Sequence, residues 1–273
     1  MRVVQDIAVD LETLLELLVE TTRCDDDGSV LRLGDAGGWL VDAVTGRGVG
    51  IRTVSGDWAA IQLERRHGVV IAHPSSDQAA AIVHCAVQHL RPGGLVVLCT
   101  DSHDGASDTA DIAERFELGP VTSFGGHLGS CAVYRRPERF TIHDLVFEAR
   151  TTIRRVGADD LATALVGPVP PTVIDTRTNT DRHRYGVIAG SIHAPRTVVE
   201  WHVDPANGYR HPAIESLDQP IVIVCNGGYS SSLAAANLVR LGFTDVADLI
   251  GGMRAWTAAG HPTVDADHSH LDL

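Results

Sequence analysis

Lysine is absent from these 273 residues: all 22 basic side chains are arginine. No Schiff base and no phosphate-loop lysine can operate, because both need a primary amine. Cysteine is scarce. The five (Cys24, Cys85, Cys99, Cys131, Cys225) are scattered, odd in number and form no Cys-x-x-Cys. That pattern argues against a disulfide framework or a zinc ribbon and fits a reducing compartment, so a cytoplasmic location is expected. No apolar run approaches the ~18 residues of a membrane span. Residues 1–20 also lack a basic stretch leading to a small-residue cleavage site, so neither insertion nor export is expected. Positive charge is in deficit as well. A net charge of −13 offers no basic patch to a phosphate backbone or an anionic bilayer, and neither nucleic acid nor membrane is an expected partner.

Against these absences, 44% of the residues are hydrophobic, enough for two domains with a core each. The most informative stretch runs from Ile221 to Leu233. Ile221, Val222, Ile223 and Val224 predict a short buried strand, and Cys225 stands at its carboxyl end. Gly227 and Gly228 permit a sharp turn. Ser230, Ser231 and Ser232 supply cap chemistry for a helix continued by Leu233, Ala234, Ala235, Ala236, Leu238 and Val239. Strand, tight loop and helix start together make a concave ring of N–H groups, which attracts anions and lowers a thiol's pKa. A buried free cysteine is also an ordinary small core residue. The Gly-Gly-Tyr-Ser-Ser-Ser run directly after Cys225 favours a reactive one.

Cys225 to Ser231 resembles the active loop of the rhodanese-like sulfurtransferases, which begins with Cys and closes six positions later on Ser or Thr. Two further motifs stand in the family's order. Asp175-Thr-Arg177, followed by the run from Tyr185 through Gly190 to Pro195, is similar to its Asp-x-Arg and Gly-His-Ile-x-Gly-Ala-Ile segments, with Val187 replacing the first histidine. Val246 to Ile250, Gly251, Gly252 and the segment to Trp256 resemble its closing strand, Gly-Gly turn and Trp-bearing helix.

The resemblance implies a parallel sheet flanked by helices over residues 155–264, needing no cofactor and no metal. It implies a sulfurtransferase in which Cys225 takes a sulfane sulfur from a small donor such as thiosulfate, holds it as a persulfide, and passes it to a thiol or cyanide-like acceptor. The amides of Asn226, Gly227, Gly228, Tyr229, Ser230 and Ser231 are then expected to hold the anionic sulfur. Many members carry Arg where Ser230 stands; Arg196 is expected either to supply that charge from a neighbouring loop or to be an ordinary surface residue. Asp175 and Arg177 are read as a structural ion pair, and Trp201 and Trp256 as packing residues. The rival assignment is a non-catalytic rhodanese-like binding or regulatory module. A cysteine phosphatase or arsenate reductase is disfavoured because Cys225 to Ser231 contains no arginine to clamp an oxyanion.

Upstream, apolar periodicity predicts a helix over Val9–Glu20, then an acidic loop at residues 25–28. A strand over Val30–Leu33 runs into the glycine-rich turn at residues 34–38 and a helix over Trp39–Val44. Strands are expected at Val49–Val54, Val69–Ala72, Gly94–Cys99 and Ser130–Tyr134, with a helix over Gln78–Leu90. This alternation implies a parallel α/β sheet. The piece from Gln88 to Leu98 looks like the late helix-to-strand junction of class I S-adenosylmethionine-dependent methyltransferases, and residues 30–38 would occupy that family's cofactor loop. Arg32 stands where the family has an acidic residue, and Ala36 where it has Gly. The expectation is therefore a truncated Rossmann-like α/β domain serving as a scaffold or as a homodimer surface. His84, Cys85 and His89, and the pair His127 and Cys131, have spacings that can hold a metal, but no third ligand is fixed and no metal is expected.

The charged stretch Arg135-Arg136-Pro137-Glu138-Arg139 marks the expected joint. The division is then 1–136 for the first domain, 137–154 for a connecting segment with a helix over Thr141–Arg150, 155–264 for the second domain, and 265–273 for an acidic tail containing His268 and His270.

Overall fold

A computed structural model describes residues 9–23, 29–35, 38–55, 66–73, 78–100, 105–126 and 129–266. The acidic loop at residues 25–28, Cys24, Ala36 and Gly37 of the glycine-rich turn, His127, and the tail histidines His268 and His270 lie outside the described residues. The chain divides into two compact units, Met1–His143 and Asp144–Leu273.

The first unit carries α1 (Leu11–Thr22), β1 (Ser29–Leu33), α2 (Gly38–Thr45), β2 (Gly50–Val54), β3 (His67–Ala72), α3 (Ala79–Gln88), β4 (Leu90–Thr100), α4 (Gly105–Arg115), β5 (Gly119–Gly126) and β6 (Gly129–Arg135). Its six-stranded sheet has the order β2-β1-β3-β4-β6-β5. β3 is buried along its whole length. Its alternate side chains feed two cores: Val70 and Ala72 join Ile82, Val83 and Ile112 from α3 and α4, while Val69 and Ile71 join Leu14, Leu18 and Leu40 from α1 and α2. Burial on both faces explains why β3 reads as an unbroken apolar run.

Three features of this unit depart from expectation. The sheet is mixed, because β6 runs antiparallel to both β4 and β5. A connection as short as the one between Gly126 and Gly129 can only join antiparallel strands. Helix α4 and strand β5 are not foreseen, since neither has an apolar repeat that stands out. Finally, α3 ends at Gln88, and Arg91 to Gly94 form a bulge inside β4: pairing passes from His67↔Leu90 straight to Val69↔Leu95. Gly94 makes this possible, because a Cβ there would lie 2.8 Å from the Gly68 carbonyl oxygen.

The second unit carries α5 (Ile142–Thr151), whose first residues precede the boundary, then β7 (Arg154–Val156), α6 (Ala158–Leu165), β8 (Thr172–Asp175), α7 (Asn179–Tyr185), β9 (Ile192–His193), α8 (Val199–Val203), β10 (Ile221–Val224), α9 (Ser230–Arg240), β11 (Val246–Leu249) and α10 (Gly252–Ala258). Its five strands have the order β7-β11-β10-β8-β9, and every pairing is parallel. Central strand β10 is buried throughout. Ile221 and Ile223 pack with Ala234, Ala235 and Leu238 of α9, and Val222 and Val224 with Leu161, Met253 and Trp256 on the other face. A parallel sheet presents its functional loops at the carboxyl ends of its strands, so this packing fixes where residue 225 emerges.

The expected boundary at 136 moves to the His143–Asp144 junction. Arg136 is fully buried and donates to the Leu90 carbonyl, and His143 accepts from Arg66 through its carbonyl at 2.9 Å and meets the His84 ring edge-on, with centroids 5.2 Å apart. Residues 137–143 therefore belong to the first unit. Among the described residues, no helix is long and apolar enough to cross a membrane.

Candidate active site

Cys225 follows the last residue of β10, and α9 begins at Ser230, leaving a loop of four residues between them. Gly228 adopts φ +73°, and a Cβ there would sit 2.6 Å from the Gly251 nitrogen, so only glycine fits. Tyr229 returns to φ −112°, ψ −61°. A left-handed residue followed by a right-handed one turns successive N–H groups toward a common centre. The Gly228 amide donates to Cys225 Sγ at 3.1 Å, and Ser231 Oγ lies 3.2 Å from the same sulfur.

Cys225 is only 5% exposed, yet the neighbours of its sulfur are polar. Burial pushes the thiol pKa up, and the hydroxyls of Ser231 and Ser230 with the amides of Ser231 and Gly227 more than reverse this, leaving it below the ordinary value. Cys85, where burial acts unopposed, and Cys131, where a backbone bond at Phe124 opposes it only weakly, show the contrast: burial pushes both thiols up to about 12. Of the three, Cys225 is thus the most acidic thiol.

The loop is held from several sides. At the head of α10, Gly251 and Gly252 are both left-handed, at φ +69° and +60°. They bring the backbone so close that a Cβ on Gly252 would overlap the Cys225 carbonyl. The Met253 and Arg254 amides, which have no partners inside the first helical turn, donate to the carbonyls of Cys225 (2.9 Å) and Asn226 (3.1 Å). The Asn226 side chain is turned outward and donates to Asp181 Oδ2 at 2.8 Å. That bond and one from Thr178 hold the Asp181 carboxyl below its usual range.

Behind the loop lies a layer that sequence reasoning missed. Asp248 in β11 is fully buried and accepts from Ser232 Oγ at 2.6 Å and Ser231 Oγ at 3.3 Å. It also accepts a two-pronged contact from Arg155 at 2.6 and 2.9 Å. Arg150 of α5 donates to the Gly228 carbonyl at 2.9 Å and to Ser232 Oγ at 3.3 Å, with its guanidinium 5.3 Å from the centre of the Tyr229 ring. The second nitrogen of Arg155 reaches the same Gly228 carbonyl at 3.3 Å. The one available signal was an aspartate inside the apolar run Val246-Ala-Asp-Leu-Ile; nothing in the local sequence distinguishes Arg150 or Arg155.

Other expected residues fall as follows. Arg196 does not supply charge to the loop: its guanidinium pairs with Glu200 one helical turn away at 3.0 Å, and Glu200 also accepts from Asn237 at 2.7 Å. Asp175 and Arg177 form a buried, two-pronged pair at 2.9 and 2.7 Å, with Arg182 3.5 Å from the same carboxylate. Arg177 also donates to the Gly186 carbonyl at 2.7 Å, a bracing role beside β10. Trp256 is a core residue whose ring nitrogen donates to the Pro262 carbonyl, whereas Trp201 is exposed. Cys85 Sγ lies 3.7 Å from His89 Nδ1, and among the described residues no three metal-ligating side chains converge.

Residues 158–259 match the family described as rhodanese-like domain. The thiosulfate sulfurtransferase GlpE of Pseudoalteromonas translucida is 37% identical over 79 residues, covering 27% of this chain and 75% of the relative. That of Pseudomonas fluorescens is 36% identical over 90 residues, covering 28% and 83%. A solved structure of a protein of unknown function from Rhodopseudomonas palustris, described as a possible tyrosine phosphatase, shares 31% identity over 46% of this chain and 95% of its own, with a TM-score of 0.43. With a parallel sheet that delivers a cysteine to the Gly228 amide and the Ser231 hydroxyl, and relatives matched over most of their length, the chain belongs to the rhodanese-like family through its carboxyl-terminal unit.

Proposed function

We propose that this protein is a sulfurtransferase working through a persulfide on Cys225. The observation that carries the proposal is the polar seat of Sγ, with the Gly228 amide and the Ser231 hydroxyl as its donors. The thiolate attacks the outer sulfur of a sulfane donor such as thiosulfate. A Cys225 S–S bond forms, the donor's own S–S bond breaks, and its electron pair leaves on sulfite. The terminal sulfur keeps one negative charge, which the convergent loop amides stabilise as they did the thiolate. A thiol or cyanide-like nucleophile then takes that sulfur and returns Cys225 as thiolate, a two-step exchange that consumes no cofactor.

Incubation of the full chain with thiosulfate should add one sulfur atom at Cys225, seen by intact mass and peptide mapping. Cys225→Ser should reduce thiocyanate formation from thiosulfate and cyanide to background while leaving the circular dichroism spectrum unchanged. A wild-type protein that takes up no sulfur would leave the binding-module assignment in its place. For the amino-terminal unit we propose a scaffold role, supported by Arg32 within β1, whose cation replaces the carboxylate a methyltransferase loop would use. Calorimetry should then register no heat on adding S-adenosylmethionine.

A further inference from the structure

The charges around Cys225 do not balance unless the sulfur itself is negative. Among the described residues, the ionisable groups packed against its loop are Arg150 from α5, Arg155 from β7 and Asp248 from β11, with Tyr229 in the loop itself; Asp181 of α7 meets the loop through the Asn226 side chain. Arg155 and Asp248 neutralise one another in a two-pronged pair whose side chains are 12% and 0% exposed. Arg150 has no such partner. Its hydrogen bonds go to the Gly228 carbonyl and the Ser232 hydroxyl, its guanidinium carbon lies 5.3 Å from the centre of the Tyr229 ring, and no carboxylate stands within ion-pair range of it among the described residues.

An uncompensated cation is costly to desolvate. Burial and then the charge of Arg155 push the Arg150 pKa down to about 10, while Asp248, Tyr229 and Cys225 oppose the drop. Arg150 stays charged at neutral pH. Arg150, Arg155 and Asp248 together carry one net positive charge; counted with Cys225, the total is +1 for a thiol and zero for a thiolate or persulfide anion.

Arg150 also acts through the backbone. In a trans peptide the C=O and N–H point in opposite directions. A carbonyl of Gly228 gripped from behind by Arg150 and Arg155 therefore turns the Tyr229 N–H to the opposite face of that peptide. We infer that Arg150 is a positioning residue for the sulfur-carrying site, supplying from behind the loop the positive charge that Ser230 does not supply within it. Arg150 and Arg155 both precede the family-matched residues 158–259, so the site extends beyond that segment. The inference rests on the sulfurtransferase proposal for its meaning in catalysis, but its test does not.

The test is the pH dependence of iodoacetamide alkylation at Cys225 in the full chain, followed by peptide mass spectrometry. Arg150→Gln should raise the midpoint and slow alkylation at pH 7 by about tenfold, the equivalent of one pKa unit. Arg150→Met serves the same purpose should the Gln variant not fold. Arg150→Lys, which keeps the charge without the fork, should restore most of the wild-type profile. Arg240→Gln removes an equal charge from the exposed end of α9 and should change nothing. A neutral variant with a lowered melting temperature but an unmoved alkylation midpoint would reduce Arg150 to a structural residue and overturn the inference. A profile that depends on Arg150 in a protein that takes no sulfur from thiosulfate would retain the inference and overturn the sulfurtransferase proposal.

Discussion

At Cys225 burial and hydrogen bonding pull the thiol pKa in opposite directions, and hydrogen bonding wins. At Cys85 and Cys131 burial is all but unopposed, and both are pushed up to about 12. Two outcomes follow for the native protein. Near neutral pH, iodoacetamide should label Cys225 and leave Cys85 and Cys131 untouched until the chain is unfolded, which peptide mapping resolves. The linked effects on stability have opposite signs. Because the Cys225 pKa is depressed by folding, its thiolate contributes stability above the unfolded value that is lost as pH falls through the folded one. Cys85 and Cys131 contribute stability in full below the ordinary thiol value of 9.0 and lose it as pH rises toward about 12. Their loss amounts to at most about 1.4 kcal/mol per pH unit per thiol, and Cys85→Ala should flatten the alkaline fall in melting temperature.

Among the elements, β10, its loop and the Gly251-Gly252 turn form one device. Four buried β-branched residues fix the strand, and the left-handed pair lets α10 place its first free amides on the loop carbonyls. Gly252→Ala should cost about 2 kcal/mol or more, since it adds left-handed strain to an overlap with the Cys225 carbonyl. The same change at exposed Gly260, which is also left-handed but meets nothing within 4 Å, should cost only the strain. Urea melts of both variants beside a sulfur-transfer assay would separate the two effects. The elements that sequence patterning did not reveal share a physical cause. α7 reads Asn-Thr-Asp-Arg-His-Arg-Tyr, with no apolar stripe, and only its Thr178 cap announces it; β7 is three residues, two of them arginine. Both draw their stability from neighbours: β7 from pairing with β11, and α7 from the ion contact of buried Arg182 with Asp175.

For the whole molecule, each unit has its own pair of cores, and the carboxyl-terminal one is larger than its family-matched segment. A chain cut to residues 158–266 loses β7, which covers the edge of β11, and with it Arg155, the partner of buried Asp248. An unpaired buried carboxylate and an open strand edge are both severe defects. Such a chain should be insoluble or unfolded by circular dichroism, whereas one cut to residues 137–266 should fold and take up sulfur. Equal behaviour of the two would show that residues 142–156 are dispensable.

The amino-acid sequence by itself determined that a cysteine stands at the end of a buried strand, the length of the loop after it, the parallel strands beneath it and the Asp175–Arg177 brace. Each of these is written in neighbouring residues: branched apolar runs, glycines where the backbone must turn left-handed, and a short-range ion pair. Only the tertiary structure decided which cation serves the loop. Arg196 and Arg150 look alike along the chain, and the choice between them depends on folding α5 and β7 against a loop that lies 73 to 82 positions away. One guanidinium finds Glu200, and the other the Gly228 carbonyl. Electrostatic partnership follows distance in space, and local sequence carries no measure of it.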